Sequence, residues 1–239
     1  MKWLIGIPIY NEAKNIRTVL EQALSHNLPV VVVNDGSTDE TGKILEEFPQ
    51  CARVTHARNR GYGAALCTLF RYAKKQSYEY LITMDCDGQH EPERIPLLKQ
   101  TMELTQADIV SASRYLEQFA SDQSAPMDRR RTNQLVTEEL NRRYQLGITD
   151  AFCGFKAYRT AALERMCIHE TGWGMPLELW VQASYLKLKI VEVPIPRLYL
   201  DPSRAFGGVL NDAEERLKYY HKVIEDTDAR IRQKSTQNG

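Results

Sequence analysis

No apolar run in this 239-residue sequence approaches the roughly 20 residues needed to span a bilayer. There is also no excess of one charge: 31 Lys plus Arg balance 31 Asp plus Glu. That balance removes the basic footprint of a nucleic-acid binder and leaves only a local anion site open. The cysteines are few and unpaired in pattern. Cys51, Cys67, Cys86, Cys153 and Cys167 make an odd number with no CxxC spacing, which argues against zinc and for buried, reduced thiols. No internal repeat is present. A signal-peptide pattern is also missing, since Met1-Lys2-Trp3 runs straight into a strand-like segment. The expectation is a cytoplasmic protein with at most peripheral contact at the cytoplasmic membrane face.

What is present is ordinary globular composition, 43% hydrophobic and 26% charged, in a length that suits one large domain. Short apolar runs alternate with helical patterns. Strands are predicted at Leu4–Pro8, Val30–Val33, Arg53–Thr55, Tyr80–Met84 and Ile109–Ala112. Between them, Ile16/Val19/Leu20/Ala23, Leu66/Leu69/Phe70/Ala73 and Ile95/Leu98/Met102 fall at helical spacing. Ser37 with Glu40 fits a capping box opening another helix. This alternation predicts an α/β fold, a mostly parallel sheet with helices on both faces. The second half is less regular. It reads as a loop over Leu116–Asp128, a helix from about Arg129 to Leu146, a strand at Phe152–Tyr158 and a helix at Leu177–Leu188. An edge strand at Ile190–Ile195, a loop at Asp201–Gly208 and an amphipathic helix through Ala213 and Ile224 follow, with the tail fraying after Arg232.

Ligands of such sheets bind beyond the carboxyl ends of the strands. Asp85-Cys86-Asp87-Gly88-Gln89-His90 falls there. Two carboxylates one residue apart after a buried strand are costly unless a cation sits between them. Mg²⁺ is usually held by one or two carboxylates plus phosphate oxygens, and Gln89 adds a neutral oxygen. A solvated Asp-rich turn explains the same letters. Asn11, after Pro8-Ile9-Tyr10, reads as a helix cap. Asp35 in Asn34-Asp35-Gly36-Ser37 could accept from a base or ribose, although turn chemistry accounts for Gly36 and Ser37. Gly61-Tyr62-Gly63 lacks the third glycine of a dinucleotide fingerprint and follows the wrong strand for a dehydrogenase. Trp180 reads as core, Trp173 as core or a stacking surface, and His90 as structural or close to the metal.

Taken together, these segments resemble family 2 glycosyltransferases with a GT-A fold, and within them the dolichol-phosphate mannose synthase-like group. Pro8-Ile9-Tyr10-Asn11-Glu12 resembles PxYNE, and Asn34-Asp35-Gly36-Ser37-Thr38-Asp39 resembles DDGSxD. Asn59-Arg60-Gly61-Tyr62-Gly63-Ala64-Ala65 resembles NxGxGxA. Asp85 through His90 resembles DADxQH, Asp150 through Arg159 resembles the DxxxGFrxyr segment, and Glu192-Val193-Pro194-Ile195 resembles EVPI. The resemblance runs from about Leu4 to about Gly208. It implies a GT-A-type, Rossmann-like domain over residues 1–208, with 209–239 a C-terminal helix and tail.

The resemblance further implies an inverting, metal-dependent transferase using Mg²⁺ or Mn²⁺. The donor would be a UDP- or GDP-sugar and the acceptor a polyprenyl phosphate or a hydroxyl. Pro8, Tyr10, Glu12 and Asp35 would hold the nucleotide, and Asp85, Asp87 and Gln89 the metal. Arg114 and Arg130 or Arg131 would face phosphates, Arg204 would close over the diphosphate, and Asp150 would serve as base to a hydroxyl acceptor. Homo-oligomerisation is left open. The sequence departs from the group at Gly207-Gly208-Val209-Leu210, where Gly-x-Ser-Lys is usual, and in having no following membrane helix. Both departures bear on the acceptor. Two rival readings are a nucleotide-sugar binder weakened in catalysis and a sugar-phosphate nucleotidyltransferase. The latter would want a glycine-rich loop ending in Arg or Lys after the first strand, where Pro8–Glu12 has neither.

Overall fold

A computed structural model describes residues 1–124, 126–198 and 207–237. Seven strands form one sheet: β1 (Trp3–Ile9), β2 (Val30–Asn34), β3 (Ala52–Thr55), β4 (Tyr80–Thr83), β5 (Ile109–Ser113), β6 (Lys156–Arg159) and β7 (Ile190–Pro194). Their order is β3-β2-β1-β4-β6-β5-β7. Only β6 runs antiparallel, pairing with β4 on one side and β5 on the other. The remaining pairs are parallel. The strands β1, β2, β4 and β5 are buried residue by residue, as uninterrupted Val/Ile runs covered on both faces require. Pro194 is tolerated because β7 is an edge strand.

The helices are α1 (Ile16–Leu24), α2 (Thr41–Glu46), α3 (Tyr62–Lys75), α4 (Ile95–Thr105), α5 (Met127–Tyr144), α6 (Thr160–Leu163), α7 (Met175–Tyr185) and α8 (Ala213–Gln237). They cover both faces. One core gathers Ile5, Ile7, Ile16, Leu20, Leu98 and Met102. The other gathers Val31, Leu69, Leu140, Trp180, Tyr220 and Ile224, so α8 docks its apolar stripe against α5 and α7. Trp180 is wholly buried and donates Nε1–H to the Ala151 carbonyl at 2.9 Å. Among the described residues no helix is long and apolar enough to cross a membrane.

Several local expectations need correction. Asn11 does not cap α1, which starts five residues later at Ile16. Its backbone turns left-handed (φ 53°) and its side chain accepts from Thr38 N–H at 2.8 Å, tying two loops together. The Ser37/Glu40 capping box does not form. Ser37 Oγ instead accepts from Asn11 N–H, and Asp39 accepts from Thr41 N–H at the start of α2. The strand expected at Phe152–Tyr158 begins only at Lys156. The helix α8 continues to Gln237, beyond the expected end of regular structure at Arg232. Of the five thiols, Cys51, Cys86 and Cys153 are buried, but Cys67 is half-buried and Cys167 exposed.

Candidate active site

The carboxyl ends of β1, β2 and β4 share one rim of the sheet, where Asp85 and Asp87 follow β4. Because β6 runs the opposite way, the segment leading into it, 150–155, arrives at the same rim. The result is an open cleft whose lining includes Asp85, Asp87, Gln89, Arg114, Arg129 and Arg216. Carboxylates and guanidinium groups therefore face one cavity.

Asp85 is held from two sides. Its Oδ1 accepts from the Tyr62 hydroxyl at 2.9 Å, and its backbone N–H donates to His90 Nδ1 at 3.0 Å. Burial, then the charge of Asp85, raises the Tyr62 hydroxyl well above the usual phenol range, so Tyr62 stays a donor. Tyr62 in turn stacks on Trp173, with ring centroids 5.2 Å apart. Gly154 packs beneath Asp85, leaving no room for a β carbon. Asp87 Oδ1 accepts from Gln89 N–H at 3.0 Å, which folds the turn back on itself. Among the described residues no three His, Cys, Asp or Glu side chains converge into a cation cage. Two carboxylates and an amide oxygen on one cleft wall do suit Mg²⁺ or Mn²⁺, provided phosphate oxygens complete the shell. His90 packs on Phe155 and is 6% exposed, which gives it a structural place behind Asp85.

Asp150 does not suit the expected role of proton acceptor. It is wholly buried. It accepts from Arg114 Nε at 2.7 Å and a terminal Arg114 nitrogen at 2.9 Å, from Asn133 Nδ2 at 2.9 Å and from Phe152 N–H at 3.1 Å. Burial opposes its charge, but the Arg114 guanidinium and the Asn133 amide hold its carboxyl well below the usual carboxylate range. Asp150 thus fixes Arg114, which lines the cleft. Glu192 of β7 holds this arrangement from behind, accepting from Thr149 N–H at 2.8 Å and Asp150 N–H at 3.3 Å. Burial raises its pKa.

The arginine expectation is also revised. Arg130 and Arg131 are exposed on the outer side of α5, while Arg129 turns into the cleft. Helical rotation of about 100° per residue separates them: the buried face of α5 continues at Thr132 and Asn133, three and four residues beyond Arg129. Arg216 was not foreseen. It is 2% exposed, pairs with Asp128 at 2.8 Å and donates to the Leu210 carbonyl at 2.9 Å. Nothing local in the sequence distinguishes it from other basic residues of α8; its burial comes from helix docking. Arg204 lies outside the described residues.

The remaining expected nucleotide residues form a neighbouring rim at the ends of β1 and β2, outside the cleft lining. Pro8 is buried in β1. Tyr10 is 44% exposed. Glu12 is buried and accepts from Asn15 Nδ2 at 3.1 Å. Asp35 is buried too. Its carboxylate accepts from Arg60 N–H at 3.0 Å and Gly61 N–H at 2.8 Å, and meets His56 Nδ1 at 2.6 Å. Asp35 therefore shapes the loop before α3, and His56 is a partner that the motif reading missed.

A family model described as Glycosyl transferase family 2 matches residues 4–167. Undecaprenyl-phosphate mannosyltransferase of Micrococcus luteus is 30% identical over 227 residues, 89% of this chain and 91% of that protein. Polyprenol monophosphomannose synthase of Mycolicibacterium smegmatis is 30% identical over 208 residues, 80% of this chain and 76% of that protein. Among solved structures, the fold matches glucosyl-3-phosphoglycerate synthase from Mycobacterium tuberculosis in complex with Mn²⁺, uridine diphosphate and phosphoglyceric acid. The TM-score is 0.67 at 16% identity, covering 95% of this chain and 76% of that one.

Proposed function

Because the chain belongs to glycosyl transferase family 2 and is a glycosyltransferase of the dolichol-phosphate mannose synthase-like group, we propose that it moves a hexose from a nucleoside-diphosphate sugar onto a polyprenyl phosphate. Residues 1–208 would form the transferase domain, with 209–239 as a C-terminal helix and tail. The observation that carries this reading is the division of one cleft: Asp85, Asp87 and Gln89 on one side, Arg114, Arg129 and Arg216 elsewhere in the lining. A transferase joining two phosphate-bearing substrates needs both halves. A divalent ion at the carboxylates would neutralise charge growing on the leaving diphosphate. The arginines would hold the acceptor phosphate, for which planar guanidinium groups are well matched.

The acceptor phosphate oxygen attacks the anomeric carbon from the face opposite the diphosphate. The carbon–oxygen bond to the diphosphate breaks and configuration inverts. An ionised phosphate carries no proton to remove, so no general base is required. That agrees with Asp150 being committed to Arg114. Stacked Tyr62 and Trp173 offer an apolar face for the sugar ring. The acceptor class is supported by the two relatives, one an undecaprenyl-phosphate mannosyltransferase and the other a polyprenol monophosphomannose synthase.

The test is transfer of labelled sugar from UDP- and GDP-hexoses to a short-chain polyprenyl phosphate, with Mn²⁺, Mg²⁺ or chelator. Product is expected only with metal, and none from Asp87→Ala. Equal turnover of the unphosphorylated polyprenol, or full turnover in chelator, would overturn the reading.

A further inference from the structure

A second hollow lies between α7, α8 and the loop before α7, lined by residues including Cys167, His169, Glu178, Gln182, Arg230 and Lys234. It shares no residue with the candidate active site. Two polar side chains of α7, one helical turn apart, build it. Gln182, 8% exposed, grips the Cys167 backbone twice: its amide oxygen accepts Cys167 N–H at 2.8 Å and its Nε2 donates to the Cys167 carbonyl at 2.7 Å. Glu178, wholly buried, accepts the backbone N–H groups of His169 and Glu170 at 2.9 and 2.6 Å. It also meets His169 Nδ1 at 3.3 Å and the Arg230 guanidinium at 2.8 Å. The other ring nitrogen, His169 Nε2, stands 3.7 Å from Cys167 Sγ.

We propose that Cys167, His169 and Glu178 form a thiol-activating relay, which makes Cys167 a modification site for small anionic disulfides. With Nδ1–H directed at Glu178, Nε2 keeps a lone pair toward the thiol, the nucleophile–base–orienter arrangement that raises thiolate reactivity. Cys167 Sγ attacks one sulfur of the disulfide. The new S–S bond forms as the old one breaks, and the departing half leaves as a thiolate with the electron pair. The thiol proton passes to His169 Nε2, so Cys167 is oxidised while the disulfide is reduced. Arg165, Arg230 and Lys234 around the hollow favour an anionic reagent. The other cysteines are shielded. Three are buried, and burial pushes the half-buried Cys67 thiol up to about 11.

The test uses the full chain at neutral pH and dithiobis(nitrobenzoate), a dianionic disulfide, with release of the coloured thiolate followed in time and the labelled peptide mapped by mass spectrometry. One equivalent should react first, at Cys167, about tenfold or more ahead of the other four thiols. His169→Ala should slow that equivalent about fivefold or more, and added imidazole should restore it. The His169 side chain is 47% exposed, so this change spares the core. A fast equivalent mapping elsewhere, an unchanged rate in His169→Ala, or no rescue by imidazole would overturn the proposal. None of these outcomes touches the transferase reading, which rests on other residues.

Discussion

Arg114 and Asp150 form a bidentate ion pair, 2.7 and 2.9 Å, in which the carboxylate is wholly buried and the guanidinium lines the cleft. Removing one partner of such a pair strands the other, so Asp150→Ala should cost about 3–5 kcal/mol in a denaturant titration. Asp150→Asn should retain part of that stability and lose transfer through a misplaced Arg114.

The same pair makes stability depend on acid. The Asp150 pKa is lowered in the folded protein, so the folded state binds its proton less readily than the unfolded chain does. Its contribution is complete above the ordinary carboxylate pKa of about 4 and falls away as pH drops below it. Urea midpoints measured from neutral pH down to about pH 3 should decline more steeply in the native chain than in Asp150→Asn.

Gly154→Ala should push the Asp85 carboxylate out of its place. A β carbon there would lie 2.3 Å from Asp85 Oδ2 and 2.6 Å from the Tyr62 hydroxyl. Half-saturation of transfer by Mn²⁺ should rise about 10- to 100-fold, the usual cost of disturbing a ligand's support.

Tyr62→Phe separates two contributions of one ring. The stack on Trp173 survives while the hydrogen bond to Asp85 is lost. The expected result is an about tenfold higher Mn²⁺ half-saturation with a nearly unchanged KM for the sugar donor. Trp173→Ala should do the reverse, raising the donor KM with the metal requirement unaltered.

Arg129→Met and Arg216→Met should each weaken use of the polyprenyl phosphate, with KM up about tenfold. Arg130→Met and Arg131→Met should leave it within about twofold, because both side chains point to solvent. Initial rates against acceptor concentration decide between the two groups. Arg216→Met also breaks the link to Asp128, so melting temperatures should accompany those rates.

Periodicity and strand-end position were enough to reach the alternating architecture and the Asp85–Gln89 turn, because buried parallel strands write continuous Val/Ile runs and ligands gather at their carboxyl ends. Side-chain commitments were harder to read. Asn11 reads as a helix cap, and Asp35 and Asp150 as groups open to ligands, yet each side chain is engaged by a partner more than 20 positions away, and Asp150 also by Asn133 on α5. Arg129 and Arg131 are indistinguishable until helix rotation assigns one to the cleft. Arg216 depends entirely on where α8 docks. Long-range pairing of this kind leaves no local spacing to find.

The reversed strand β6 lies inside the sheet, between β4 and β5, but is contributed late, at Lys156–Arg159. On a ribosome, β4 would emerge and wait with one open edge until some seventy further residues had been made. Such a waiting edge invites pairing with another chain, and closing it requires a distant loop to be drawn in. Assembly of the middle of the sheet, rather than of its early parallel half, should therefore limit how fast this protein folds.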